Sequence, residues 1–168
     1  RKSNYGDCFD YDGWAGCKDL VKLNVDNADV RSYLFSAVDF WIDTFKIDGL
    51  RLDAADVLSK SFLDALSVHC RQKKENFWLM GEVVHGDYND WLCQCRLDSV
   101  TNYQLYKAMW SALNDKNCFE LSYNLEREFG QNGMYKNNWL YNFLDNHDVN
   151  RIASNVKKFQ HLFLIYGI

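Results

Sequence analysis

Three short stretches of this chain bring carboxylates to the end of an apolar run. In Ile47-Asp48-Gly49-Leu50-Arg51-Leu52-Asp53-Ala54-Ala55 the two-residue period sets Leu50 and Leu52 on one face of a strand and Gly49, Arg51 and Asp53 on the other. An arginine and an aspartate sharing a face beside two small alanines are costly to bury unless they neutralise each other or serve chemistry. A structural ion pair and a catalytic carboxylate account for that pattern equally well. The run Phe77-Trp78-Leu79-Met80-Gly81 ends in Glu82, and Tyr141-Asn142-Phe143-Leu144 runs into Asp145-Asn146-His147-Asp148. Carboxyl groups brought to one mouth can act as a nucleophile or base and as a proton donor. The crowded oxygen and imidazole ligands at 145–148 are also compatible with a metal ion, but no second ligand cluster accompanies them.

Carboxylates at the C-terminal ends of successive strands converge on one mouth when the strands alternate with helices in a parallel barrel. From Asn27, apolar residues Val30, Leu34, Ala37, Val38, Trp41, Ile42 and Phe45 recur at three- and four-residue steps behind an Asp/Asn-rich start. That pattern predicts a helix leading into the strand of Arg51 and Asp53. Ser61 and Asp64 suggest a capping box for the next helix, with Phe62, Leu63, Leu66 and Cys70 as its apolar face. A strand is expected between Leu97 and Tyr103, then helices around Leu105–Ala112 and Leu121–Phe129, the second ending near Gly130. Asn132-Gly133 marks a turn, a last helix is expected to start near Asn150, and His161–Ile168 is expected to form a final strand.

These stretches resemble the motifs of the α-amylase family of retaining glycoside hydrolases. Gly49-Leu50-Arg51-Leu52-Asp53-Ala54-Ala55 is similar to the family's fourth-strand motif, Gly81-Glu82-Val83-Val84-His85 to its fifth, and Phe143-Leu144-Asp145-Asn146-His147-Asp148 to its seventh. Leu20-Val21-Lys22-Leu23-Asn24 is similar to the short motif closing the loop domain after the third strand. The resemblance implies an α/β fold of (β/α)8 TIM-barrel type, present as the C-terminal part, about strands 4 to 8. Residues 1–24 would end the loop domain inserted after strand 3, and residues 25–168 would form the partial catalytic barrel. Such a barrel takes about 250 residues, more than the 168 here.

By the same resemblance Asp53 is the nucleophile, Glu82 the general acid and base, and Asp148 the third carboxylate, grasping sugar hydroxyls. Arg51 would keep Asp53 ionised and aimed, and His147 would bond the same sugar. His85 and Tyr88 are candidates for shaping the leaving-group side, and Tyr11 and Trp14 for lining the cleft. The implied partner is an α-glucan oligosaccharide or polysaccharide such as starch or maltodextrin, cleaved by double displacement. A glucan transferase or debranching enzyme of the same family and a non-catalytic glucan-binding protein are the alternatives. No cofactor is expected. Calcium-dependent members carry an aspartate where this chain has Lys22, so their site is not carried over, although the full-length protein leaves calcium open.

A net charge of -4 provides no basic footprint for nucleic acid or an anionic membrane surface. No apolar run reaches the length of a membrane span, and Arg1-Lys2-Ser3-Asn4-Tyr5 lacks a signal peptide's apolar stretch. The start of the protein is expected to lie upstream, so localisation is left open. Cys93-Gln94-Cys95 is too tightly spaced for paired zinc thiolates, and the six cysteines are expected to be reduced and mostly buried, as in a cytosolic or anaerobic setting.

Overall fold

The structure, a computed structural model, describes residues 10–167. A hairpin comes first, β1 (Gly13–Trp14) against β2 (Cys17–Val21), turning at Ala15 and Gly16, both at positive φ. Helix α1 (Ala28–Phe45) follows, capped by Asn27, whose side chain accepts from the amides of Asp29 and Val30. The chain then alternates: β3 (Gly49–Leu52), α2 (Lys60–Lys73), β4 (Trp78–Gly81), short α3 (Asn89–Leu92), β5 (Ser99–Thr101), α4 (Tyr103–Asp115), α5 (Phe119–Phe129) and β6 (Trp139–Tyr141). Two short helices close it, α6 (Ile152–Asn155) and α7 (His161–Ile165).

Strands β3, β4, β5 and β6 lie side by side in chain order, and every pair is parallel. This is part of a TIM-barrel wall, with connecting helices packed on one face as parallel sheets require. The pairing register sorts the side chains. Leu50, Leu52, Leu79, Val100 and Leu140 face the helices, where they pack with Val38, Ile42, Leu63, Leu66 and Cys70. Arg51, Trp78, Met80, Ser99, Thr101, Trp139 and Tyr141 occupy the other face. Trp139 and Tyr141 are largely exposed there, and β3 and β6 have no further strand beside them among the described residues.

Three expectations need correction. His161–Ile165 is helix α7, not a final strand; its run of His, Leu, Phe, Leu and Ile has no polar alternation to favour a strand, and Ile165 is buried. Helix α2 is capped by Ser59, whose hydroxyl accepts from the Phe62 amide, so Ser61 lies inside the first turn instead. Ser61 joins Asp26 and Arg31 in a surface network. Among the described cysteines, Cys17, Cys93 and Cys118 are exposed thiols and only Cys70 and Cys95 are buried. Cys8 lies outside the described residues.

Candidate active site

Leu52 pairs with Gly81 in register, so the residues that follow, Asp53 and Glu82, leave the sheet at the same level. The Glu82 amide donates to the Leu52 carbonyl at 2.9 Å, extending the ladder by one bond. A Cβ at Gly81 would meet Leu97 Cδ1 at 2.7 Å and Ala55 Cβ at 3.1 Å. Glycine there lets the turn after Asp53 close against the end of β4. The chain bends at Ala54, which holds a left-handed φ of 44°, and its amide donates to Glu82 Oε2 at 3.0 Å. Asp56 secures the same two loops by accepting from the Val84 amide at 3.2 Å.

Arg51 reaches both carboxylates. Its Nη1 donates to Asp53, and its Nη2 lies 3.0 Å from Glu82 Oε1. The two acids differ in setting, because the Glu82 side chain is 10% exposed and that of Asp53 is 76% exposed. Tyr103, the first residue of α4, donates its hydroxyl to Glu82 Oε1 at 3.3 Å and accepts from Asn146 Nδ2 at 2.8 Å. Burial raises the Tyr103 hydroxyl above the ordinary tyrosine value despite the Asn146 bond, with the Glu82 charge adding to the rise. Asn146 Oδ1 in turn accepts from the Asp148 amide at 2.9 Å, while His147 Nε2 lies 3.2 Å from Asp148 Oδ2. The β5 and β6 ends are thereby tied to Glu82.

These groups line a cavity of about 760 Å³ whose wall includes Asp53, Glu82, His85, Tyr103, His147 and Asp148. Trp14 and Leu20 from the hairpin form its far side. Two carboxylates share a guanidinium and a third stands across the same opening. A chain of donors fixes the more buried acid, an arrangement that can hold a proton on one carboxyl and leave another open to the cavity.

The α-amylase catalytic-domain family model matches residues 4–164. The chain belongs to the α-amylase family. A cyclomaltodextrinase from Geobacillus thermopakistaniensis (strain MAS1) is 30% identical over 160 residues, 92% of this chain and 27% of that protein. An intracellular maltogenic amylase from Bacillus subtilis (strain 168) is 29% identical over 147 residues, 86% of this chain and 25% of that protein. The crystal structure of an Anoxybacillus α-amylase superposes with a TM-score of 0.77 at 28% identity, covering 92% of this chain and 35% of that one. The chain thus spans about a quarter of the length of the two sequence relatives.

Not every residue singled out in the family motifs reaches the cavity. Arg51 is not part of the cavity wall, and Tyr11 lines a neighbouring cavity with Lys22, Asn24 and Asp26, its hydroxyl donating to the Lys18 carbonyl at 3.0 Å. Tyr88 is corrected outright as a cleft residue. It is fully buried, stacked on Tyr135 with ring centroids 5.2 Å apart, and its hydroxyl accepts from the Gln104 amide at 3.2 Å. Burial pushes that hydroxyl up to about 12. Asp145 turns away to clasp its own loop, accepting from the Ile152 amide and from Arg151 Nη1, each at 2.7 Å. The Ile152 bond, more than the nearby guanidinium, holds its carboxyl below the usual value. Among the described residues no group of three or more His, Cys, Asp or Glu side chains gathers as metal ligands would.

Two contributors escaped sequence reasoning. The Ala54 amide is main chain and carries no residue-type signal. Tyr103 could have been found, because it is an aromatic hydroxyl two residues past the strand end at Thr101.

Proposed function

We propose that the protein carrying this chain is a retaining glycoside hydrolase acting on α-linked glucans of the maltodextrin class. The observation that carries this reading is the single guanidinium of Arg51 on both Asp53 and Glu82, since it gives two acids one orientation at one cavity. Asp53, open to the cavity, attacks the anomeric carbon and forms a glycosyl ester while Glu82 protonates the departing oxygen. Glu82 then takes a proton from water, whose oxygen displaces Asp53 with restored stereochemistry. Asp148 and His147 hold sugar hydroxyls from the opposite side, where they favour the ring distortion of an oxocarbenium-like transition state. The names of the relatives, cyclomaltodextrinase and maltogenic amylase, support the substrate class.

The test is stereochemical. With the full-length protein and maltoheptaose, proton NMR of the first-formed reducing end should show the α-anomer before mutarotation. Glu82→Ala given an α-glucosyl fluoride and azide should release an α-glucosyl azide, because the covalent intermediate still forms. A β-configured first product, or no azide product, would rule the mechanism out. Transfer is distinguished in the same tube: longer oligosaccharides accumulating ahead of glucose and maltose identify a glucan transferase.

A further inference from the structure

The proposed chemistry makes no use of Glu128, yet this carboxyl is fully buried. It lies on α5, and Oε2 accepts from Asn102 Nδ2 at 2.6 Å. Oε1 has no hydrogen-bond donor among the described residues, with Arg127 Nη2 at 3.5 Å as its nearest cation. Burying a carboxyl that has one hydrogen bond and one ion pair is unfavourable, which calls for a compensating task.

Its partner Asn102 is also fully buried and stands at a junction. Asn102 Oδ1 caps α4 by accepting from the Leu105 amide at 3.1 Å, and Nδ2 also donates to Asn142 Oδ1 at 2.9 Å. Its amide donates to the Tyr141 carbonyl at 2.9 Å, so one residue joins the ends of β5 and β6 to the start of α4. The next residue in the chain is Tyr103. Arg127, beside Glu128, donates to Gln104 Oε1 at 2.5 Å, and Gln104 Nε2 donates to the Gly86 carbonyl at 3.1 Å, next to His85. Two adjacent side chains of α5 therefore grip the residues immediately before and after Tyr103.

We propose that Glu128, together with Arg127, is a positioning residue for the acid/base group: acting through Asn102 and Gln104, it sets the first turn of α4 so that the Tyr103 hydroxyl meets Glu82 and Asn146. The role assigned to Glu82 rests on the hydrolase reading above; the brace itself does not. Tyr103 is pinned on one side by Asn102 and on the other by Gln104, and its hydroxyl faces Glu82 from the end of β4 and Asn146 and Asp148 from the loop after β6. Without the brace, the turn loses its cap orientation and Tyr103 relaxes away from Glu82.

The experiment is a pH titration of the 13Cζ resonances of labelled tyrosines in the full-length protein carrying this chain, with Tyr103 assigned by Tyr103→Phe. In the wild type, Glu82→Gln should lower the Tyr103 midpoint, since it removes a neighbouring negative charge. Glu128→Leu should lower that midpoint by at least about half a pH unit and abolish its response to Glu82→Gln. Glu128→Gln, which keeps an acceptor for Asn102, should restore wild-type behaviour. Leu121→Ala, a buried change elsewhere on α5, should weaken folding without moving Tyr103. Gln104→Leu, at a half-buried position, removes the Arg127 bond and should give a partial version of the Glu128→Leu shift, so it serves as the test if Glu128→Leu does not fold. A Tyr103 midpoint and a Glu82 response unchanged in Glu128→Leu, or in Gln104→Leu if the former is unfolded, overturn the proposal. The readout needs no turnover, so a full-length protein that shows these shifts and cleaves no glucan refutes the hydrolase reading and leaves the brace standing.

Discussion

Arg51 Nη2 lies 3.0 Å from Glu82 Oε1 while the other arm of the same guanidinium holds Asp53. A planar fork can span two carboxylates where an ammonium cannot. Arg51→Lys keeps the charge and loses the span. We expect maltoheptaose turnover by the full-length protein to fall about 10²-fold or more. The urea midpoint should hardly move, because Asp53 is mostly in water and Glu82 keeps its bonds to Ala54 and Tyr103. Steady-state kinetics beside an unfolding curve check both halves; unchanged turnover would remove Arg51 from the site.

Ser59 provides a second prediction, on stability alone. Its hydroxyl accepts from the Phe62 amide at 3.2 Å and donates to Asp26 at 2.8 Å. Ser59→Ala should cost about 1 kcal/mol, within the usual range for a lost helix cap. Ser61→Ala should cost clearly less, since Ser61 caps nothing. Urea denaturation of the two variants side by side decides between these positions.

The open face of the sheet sets a third expectation. Trp139 is 76% exposed and Tyr141 lies beside it on β6, whose outer edge has no partner strand among the described residues. Exposed apolar surface on an unpaired edge invites association. The 168-residue chain by itself should self-associate with rising concentration in sedimentation velocity, and should release reducing sugar from maltoheptaose only at background rate. Trp139→Lys with Tyr141→Thr should shift it toward monomer. Robust turnover by the wild-type chain alone would contradict this.

The buried Glu128 carboxyl predicts a pH dependence with a definite sign. Burial, its largest influence, raises this group above its ordinary value of 4.5 against the opposing pull of Asn102 and Arg127. The folded chain therefore holds the proton more tightly than the unfolded one. Its contribution to stability is fullest below 4.5 and is lost as the pH climbs through the raised folded value. Glu128→Gln removes the titration, so between about pH 4 and pH 7 its stability relative to wild type should rise with pH. Urea midpoints across that range measure it.

Chelation gives a fifth test. Lys22 brings a fixed cation to the cavity it shares with Tyr11 and Asp26, and His147 and Asp148 pair with each other at 3.2 Å. We expect glucan turnover by the full-length protein to survive prolonged EDTA treatment. Loss of activity restored by calcium would show that a site outside this stretch governs the reaction.

The sequence made the acids and their supporting strands legible because a two-residue period and a terminal carboxylate are local features. Leu50 and Leu52 face the helices as that period requires, and the Leu52–Gly81 register brings Asp53 and Glu82 to one level. What it hid depends on contacts made elsewhere in the chain. Tyr88 lies six residues past Glu82 in sequence, yet stacking on Tyr135 carries it into the interior. The run His161–Ile165 is too short for periodicity alone to identify, and without a strand's polar alternation its packing makes it helix α7. Asn102 and Glu128 are unremarkable polar residues until the fold seals both from water.

The amide that Glu82 grips belongs to the peptide bond joining Asp53 to Ala54. One hydrogen bond thus ties the Glu82 carboxylate to the main chain that carries Asp53. Whoever transplants this pair into a new scaffold must copy that peptide along with the side chains, because two carboxylates spaced correctly on unlinked loops would leave Glu82 without this donor.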